Sequence, residues 1–216
     1  MIEYPKIETL YNRDERTHKV VPDQLRMPEF GLVREWYVTE KVDGTNVRVC
    51  LNTMGKVTFG GRTDNAQMHV SMIDYLQNTF TKTKMLEAFG DEDYGVSNDV
   101  ALFGEGYGEK IQKGGLYRKG VSFRLFDVKV GDWWLEPWNI KDVAYKLGIL
   151  AVPCFGIIQD LPTTISGLEH IITHSFVAEQ DGGPGCQAEG IVARTMPLLL
   201  TRRGDRVMWK LKFSDF

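Results

Sequence analysis

The stretch Trp36-Tyr37-Val38-Thr39-Glu40-Lys41-Val42-Asp43-Gly44-Thr45-Asn46-Val47-Arg48-Val49-Cys50-Leu51 constrains the fold more than any other part of the chain. β-branched and aromatic residues crowd both halves, and between them lies Asp-Gly, a dipeptide suited to tight hairpin turns. The pattern predicts a β-hairpin, with strands over 36–41 and 46–52. A third strand over 56–62, ending at Gly60-Gly61-Arg62, follows closely. Connections this short favour antiparallel pairing, because parallel strands need a long crossover.

Strand patterns return at 100–103, 121–128, 190–194 and 207–213. Met72, Ile73, Leu76, Phe80, Leu86 and Phe89 recur at helical spacing, which predicts one helix over 71–89, or two with a break, closed by the acidic turn Asp91-Glu92-Asp93. Pro137 opens a further helix that ends at Leu147-Gly148, where glycine suits the C-cap. Another covers 166–178, and Asp181-Gly182-Gly183-Pro184-Gly185 is a loop. Residues 1–35, punctuated by Pro5, Pro22 and Pro28, read mostly as loop. Strands outnumber helices and do not alternate with them, so the expected class is α+β, antiparallel sheets with flanking helices, rather than a doubly wound fold. The 216 residues suit one large domain spanning 1–216, or at most two small ones.

Charge and cysteines narrow the function. A net charge of −3 with a pI near 5.9 argues against a generally basic nucleic-acid binder, while leaving room for a local basic groove. Cys50, Cys154 and Cys186 are far apart, without C-x-x-C spacing, so neither a disulfide framework nor a zinc site is expected. The N-terminus lacks the apolar stretch of a signal peptide, and no apolar run approaches the roughly 20 residues of a membrane span. The expected setting is a reducing cytoplasm, with no membrane partner.

Six short clusters could carry chemistry. In Glu40-Lys41-Val42-Asp43-Gly44-Thr45-Asn46 a lysine stands two before an Asp-Gly turn. A lysine can attack phosphorus only as the neutral amine, which neighbouring cations or desolvation favour; alone, K-x-D-G is also what a turn with a surface lysine looks like. Arg62, after two glycines, can fork onto phosphate or ribose oxygens, or be an ordinary strand-end arginine. Glu105 sits among three glycines in Phe103-Gly104-Glu105-Gly106-Tyr107-Gly108, as a ribose or metal acceptor or as the solvated acid of a turn. Alternation in Phe123-Arg124-Leu125-Phe126-Asp127 puts Phe126 opposite Phe123 and Leu125, either as core or as a base-stacking platform. Glu189 immediately precedes an apolar strand. Lys210 and Lys212 share one strand face, a costly pairing unless it meets an anion, although edge strands also carry lysine as a guard. His170 and His174, i and i+4 on one expected helix, lack a third ligand nearby. The basic segments Lys110 to Lys113, Arg118-Lys119 and Arg202-Arg203 with Arg206 are either phosphate contacts or solvated loops. Gly55-Lys56 is followed by Val57 and is no P-loop.

Read in order, K-x-D-G-x-N, G-R, G-E-G-Y-G, F-x-x-F-D, E-G-I-V and K-x-K resemble the covalent nucleotidyltransferase superfamily of ATP-dependent DNA and RNA ligases and mRNA capping enzymes. Tyr4-Pro5-Lys6-Ile7-Glu8-Thr9-Leu10 and Asn46 are most similar to the RNA ligase 2 family of phage and RNA-editing ligases. The resemblance implies an ATP-grasp-like nucleotidyltransferase domain that uses ATP and Mg²⁺. Lys41 becomes the nucleophile that forms a lysyl-AMP phosphoramidate, and AMP then passes to a 5′-phosphate that is sealed to a 3′-hydroxyl. Glu40 is placed beside adenine; Asn46 and Arg62 contact ribose or phosphate; Glu105 binds ribose; and Phe126 stacks on adenine. Glu189 organises metal, while Lys210 and Lys212 neutralise phosphates. The partners implied are ATP and nucleic acid, as RNA ends or a nicked duplex, bound by a monomer in the cytoplasm, with a phage-infected host cell as one setting. The alternatives are a DNA ligase or capping-type enzyme, against which Asn46 speaks, or a non-catalytic nucleic-acid-binding domain of the same fold. Many relatives carry a C-terminal accessory domain, which is not expected within residues 1–216.

Overall fold

The computed structural model describes residues 2–90, 95–112 and 114–216; Asp91-Glu92-Asp93 and Lys113 of the sequence reading lie outside them. Thirteen strands are described: β1 Glu8–Thr9, β2 Tyr11–Arg13, β3 Val20–Leu25, β4 Trp36–Lys41, β5 Thr45–Leu51, β6 Val57–Gly60, β7 Val100–Gly108, β8 Val121–Val130, β9 Trp133–Trp134, β10 Leu150–Ala151, β11 Cys154–Ile158, β12 Gly190–Arg194 and β13 Met208–Lys212. Five helices accompany them: α1 Val70–Thr79, α2 Lys82–Phe89, α3 Pro137–Leu147, α4 Ile165–Ile171 and α5 Phe176–Gln180. The fold is α+β with largely antiparallel sheets. Only β1 with β13 and β10 with β8 pair in parallel among the described strands.

Two compact units divide the chain: residues Met1–Tyr4 with Asp43–Ala151, and Pro5–Val42 with Val152–Phe216. In the first, the strand order is β10-β8-β7-β5-β6, with β9 paired to β8. Val47, Val49 and Leu51 alternate onto one face of β5, where α1, α2 and α3 deliver Met72, Leu76, Met85, Ile140 and Leu147 to a single core. In the second unit the order is β1-β13-β12-β4-β11, and β2 pairs with β3 separately. There Trp36 and Val38 of β4, Ile191 and Ala193 of β12, and Trp209 and Leu211 of β13 line one face and close the core with Leu10, Phe30 and Leu168.

The expected hairpin does not form. β4 pairs with β12 and β11, β5 pairs with β6 and β7, and the two flanks of Asp43-Gly44 belong to different sheets. Tight hairpin turns of type I′ need positive φ at both central residues, and neither Asp43 nor Gly44 has it. Glycine is required at 44 for a different reason: a Cβ there would run into the carbonyl oxygen of Gly106 and come within 3.0 Å of the Glu105 Cγ.

Two other expectations change, those for the strand at 100–103 and the helix over 166–178. Residues 2–35 hold β1, β2, β3 and a short 3-10 turn over Pro28–Leu32 between longer stretches without regular structure, in keeping with the loop-rich reading; Pro22 is accommodated within β3. The strand at 100–103 continues to Gly108, because Gly104 and Gly106 face the core, where a Cβ would strike the Phe123 ring or lie 2.9 Å from Met72 and Val47. The helix over 166–178 is two helices with a break, which leaves His170 on α4 and His174 between the helices. Helical spacing over 71–89 resolves into α1 and α2, capped by His69 and Thr81. α3 begins at Pro137 and ends at Gly148, whose φ of 68° meets the left-handed requirement of a C-cap.

Candidate active site

In the second unit, the strand face turned away from the core collects cations. Gly190 pairs with both Lys41 and Lys212, and Val192 pairs with both Thr39 and Lys210. Since facing residues across a ladder share a side, Lys41, Lys210 and Lys212 stand on one face. Glu189 precedes β12 beside them. Its Oε2 lies 2.5 Å from the Lys41 Nζ and its Oε1 lies 3.1 Å from the Lys212 Nζ, so one carboxylate bridges two ammonium groups. Lys41 ends β4 and keeps 22% of its side chain exposed, so the amine is sheltered yet reachable. A buried Asp215 accepts from the Lys212 backbone N–H at 2.9 Å and holds the end of β13. Arg13, 2.5 Å from that same carboxylate, completes the anchor.

Glu40 points the other way. It is opposite Ile191, on the core face with Trp36 and Val38, and only 2% exposed. Its Oε1 accepts from the Ser175 hydroxyl at 2.5 Å; its Oε2 accepts from the backbone N–H groups of Phe176 and Val177 at 3.0 and 3.1 Å. Ser175 also caps α5 by accepting from the Ala178 N–H. The buried charge is thereby solvated by three donors at a helix start, the arrangement a carboxylate out of water needs. Alternation puts this carboxylate and the Lys41 amine on opposite sides of β4. Elsewhere in this unit, burial and a hydrogen bond to Cys154 push the Tyr37 phenol far above its ordinary range.

In the first unit, the face of the sheet opposite its core gathers the remaining candidates. Asn46 of β5 pairs with Glu105 of β7, which pairs with Arg124 of β8. Arg48 pairs with Phe103, which pairs with Asp127. A bulge between these two rows leaves Phe126 as the extra residue of β8, so that Val128 and not Asp127 returns to the core. Phe126 is half-buried, its ring 5.1 Å and edge-on from that of Tyr4, whose hydroxyl donates to Asp127 at 2.5 Å. The Asn46 Oδ1 is buried and has no hydrogen-bond partner among the described residues, a vacancy in hydrogen bonding that a donor on a ligand would satisfy. Arg62 lies exposed just past β6. The Asp43 N–H donates to the Tyr117 hydroxyl at 3.0 Å, and the Tyr117 ring packs against Tyr107, which accepts from Arg124.

The structure thus brings Lys41, Glu189 and Lys212 into contact, sets Lys210 on the same face, and turns the Glu40 carboxylate away. On the first unit it makes Asn46 and Glu105 neighbours, with Phe126 at the bulge beside their row. His170 and His174 form no metal cluster, and no group of three or more His, Cys, Asp or Glu among the described residues is arranged to hold a metal. Lys110, Arg202 and Arg203 are exposed on turns. Sequence reasoning missed Arg48, Ser175, Tyr117 and the use made of Tyr4, because an arginine between two valines or a serine before a short helix looks ordinary.

Solved structures share this fold. A mutant of the RNA ligase from Naegleria gruberi, with ATP and Mn, matches at 19% identity and TM-score 0.64 over 98% of this chain and 56% of its own. A second mutant with ATP and Mn matches at 19% identity and TM-score 0.59, over 85% and 52%. The same organism's RNA ligase with PPi matches at 20% identity and TM-score 0.61, over 97% and 61%. The chain therefore spans between about half and three-fifths of the length of these structures. Among curated proteins, none matches. The RNA ligase family model matches residues 34–212, and the chain belongs to that family.

Proposed function

We propose that residues 1–216 form one adenylyltransferase domain of an ATP-dependent RNA ligase that works through a lysyl-AMP intermediate. The observation that carries this reading is the Lys41–Glu189–Lys212 bridge, with Lys210 on the same face. A lysine held against a carboxylate and flanked by two further ammonium groups is suited to meet a triphosphate, whose charge draws Lys210 and Lys212. Lys41 gives up a proton, which the Glu189 carboxylate, at 2.5 Å, is in reach to take. The freed amine forms a bond to the α-phosphorus, the bond from that phosphorus to the pyrophosphate oxygen breaks, and pyrophosphate leaves. AMP then passes to the 5′-phosphate of an RNA end, which restores Lys41, and a 3′-hydroxyl displaces AMP to join the strands.

On the first unit, Asn46, Glu105, Arg62 and Phe126 are the residues proposed for the adenosine and its phosphates. The buried Oδ1 of Asn46, without a hydrogen-bond partner among the described residues, supports that assignment. The Naegleria gruberi structures with ATP and Mn support a divalent ion as cofactor, and we read it here as Mg²⁺. Glu189 fits such an ion: Mg²⁺ keeps several waters and leans on one or two carboxylates together with substrate phosphates. When bound, the ion supplies positive charge against the phosphates. We read the protein as a monomer working on nucleic acid in a reducing cytoplasm; among the described residues no helix is long and apolar enough to cross a membrane, and Cys50, Cys154 and Cys186 are free thiols. The test is sealing of matched nicks. Joining of a nicked RNA duplex with ATP is expected; joining of DNA nicks alone, or covalent labelling from GTP instead of ATP, would replace this reading with its DNA-ligase or capping-type rival.

A further inference from the structure

Arg48 is an arginine with no exposed side-chain surface, placed on β5 two residues beyond Asn46 and on the same face. A guanidinium cannot shed its charge, so burial on this scale demands acceptors in the right places. Three are supplied. Nε donates to the Gly61 carbonyl at 2.6 Å, Nη1 to the Ile2 carbonyl at 3.0 Å and Nη2 to the Asp64 carboxylate at 2.9 Å. The hydrogen bond from Arg48 holds the Asp64 carboxyl below the usual carboxylate range, although Asp64 itself is exposed.

None of these acceptors lies in a strand or helix. Residues 61–69 join β6 to α1 without regular structure, and Ile2 precedes β1 by several residues. Gly61 carries the peptide bond to Arg62, and a Cβ at 61 would sit 2.6 Å from that of Ala66, so the loop folds closely on itself. Two residues after Ile2 comes Tyr4, whose hydroxyl holds Asp127 and whose ring packs edge-on against Phe126. One guanidinium therefore ties down both irregular segments that border the proposed nucleotide residues: the loop that presents Arg62 and the terminal segment that sets Phe126.

We propose that Arg48 is the positioning residue for the nucleotide half-site of the first unit, acting through the Gly61–Arg62 peptide and through Ile2–Tyr4 without touching ATP. The proposal rests on the ATP reading above. Lysine cannot replace the residue, because a point ammonium does not span three divergent acceptors.

Two measurements on the full chain test it. Amide hydrogen exchange without ATP compares wild type with Arg48→Lys. Faster exchange confined to residues 2–4 and 61–66 is expected, whereas unchanged exchange there, or loss of protection across every strand of the unit, overturns the role. Covalent adenylylation is then followed for Arg48→Lys, Arg62→Ala and the double variant. Each single change is expected to raise the ATP KM about tenfold or more, with the rate at saturating ATP falling less. The double variant is expected to lie close to Arg62→Ala, since residues acting through one another are not additive. Multiplied KM effects in the double variant would show that Arg48 does not act through Arg62. Failure of the wild type to bind ATP would defeat the function reading, while the exchange result would still decide whether Arg48 fixes the two segments.

Discussion

Replacing Ser175 with alanine removes two interactions at once, and both can be sized. Ser175 caps α5 through its bond from Ala178, and it donates to Glu40; the two residues are 1% and 2% exposed, so water cannot stand in for the hydroxyl. A lost N-cap costs about 1 kcal/mol. Loss of a hydrogen bond to a charged, buried acceptor costs about 1.5–3 kcal/mol. The sum, about 2.5–4 kcal/mol, corresponds to a fall in Tm of about 5–15 °C for a chain of this size. Glu40→Gln is expected to be milder, because the amide oxygen can still accept from Phe176 and Val177 while its NH₂ faces the serine oxygen. Thermal melts of both variants check these values. A Ser175→Ala protein within about 0.5 kcal/mol of wild type, the range of an inconsequential surface change, would refute the clamp. A functional arm follows from the strand alternation: since the Glu40 carboxylate faces the core, Glu40→Gln should leave the preference for ATP over GTP in covalent labelling unchanged. A variant that accepts GTP would show that the carboxylate reads the base.

Two further outcomes are expected. Gly44→Ala should destabilise the protein by about 1–3 kcal/mol or more, because its Cβ meets the backbone carbonyl of Gly106 instead of a flexible side chain; a urea midpoint equal to wild type would contradict this packing. Burial pushes the Tyr11 phenol up to about 12 from 10.0. Unfolded chains then ionise first, so the stability that Tyr11 contributes is complete below pH 10 and is lost as pH climbs toward 12. Tyr11→Phe should flatten that decline in stability against pH, and an unaltered decline would count against the burial.

Much of this structure was legible because its signals were local. Pro137 and Gly148 bounded α3 by their own dihedral preferences, and the apolar spacing of 71–89 located α1 and α2. The shared face of Lys210 and Lys212 followed from strand alternation alone. What failed depended on distant partners. Asp43-Gly44 carries the composition of a hairpin turn, yet β4 and β5 each find their partners elsewhere, and Gly44 is selected by Gly106 more than sixty positions away. Gly104 and Gly106 looked like a turn for the same reason: their small size answers Phe123, Met72 and Val47 across the sheet. The Glu40 carboxylate meets Ser175 and the start of α5, contacts that its place beside Lys41 does not announce. Arg48 gave no sign of its clamp, since Gly61, Asp64 and Ile2 converge on it only in three dimensions.

The central claim is that Lys41, bridged to Glu189 and backed by Lys210 and Lys212, captures AMP. Intact-mass measurement after incubation with ATP and Mg²⁺ tests it most directly. Wild type is expected to gain the mass of one AMP, located at Lys41 by peptide mapping and released by pyrophosphate, and Lys41→Ala and Lys41→Arg are expected to gain nothing. An adduct that persists in either variant, or a wild type that stays unmodified, would contradict the account.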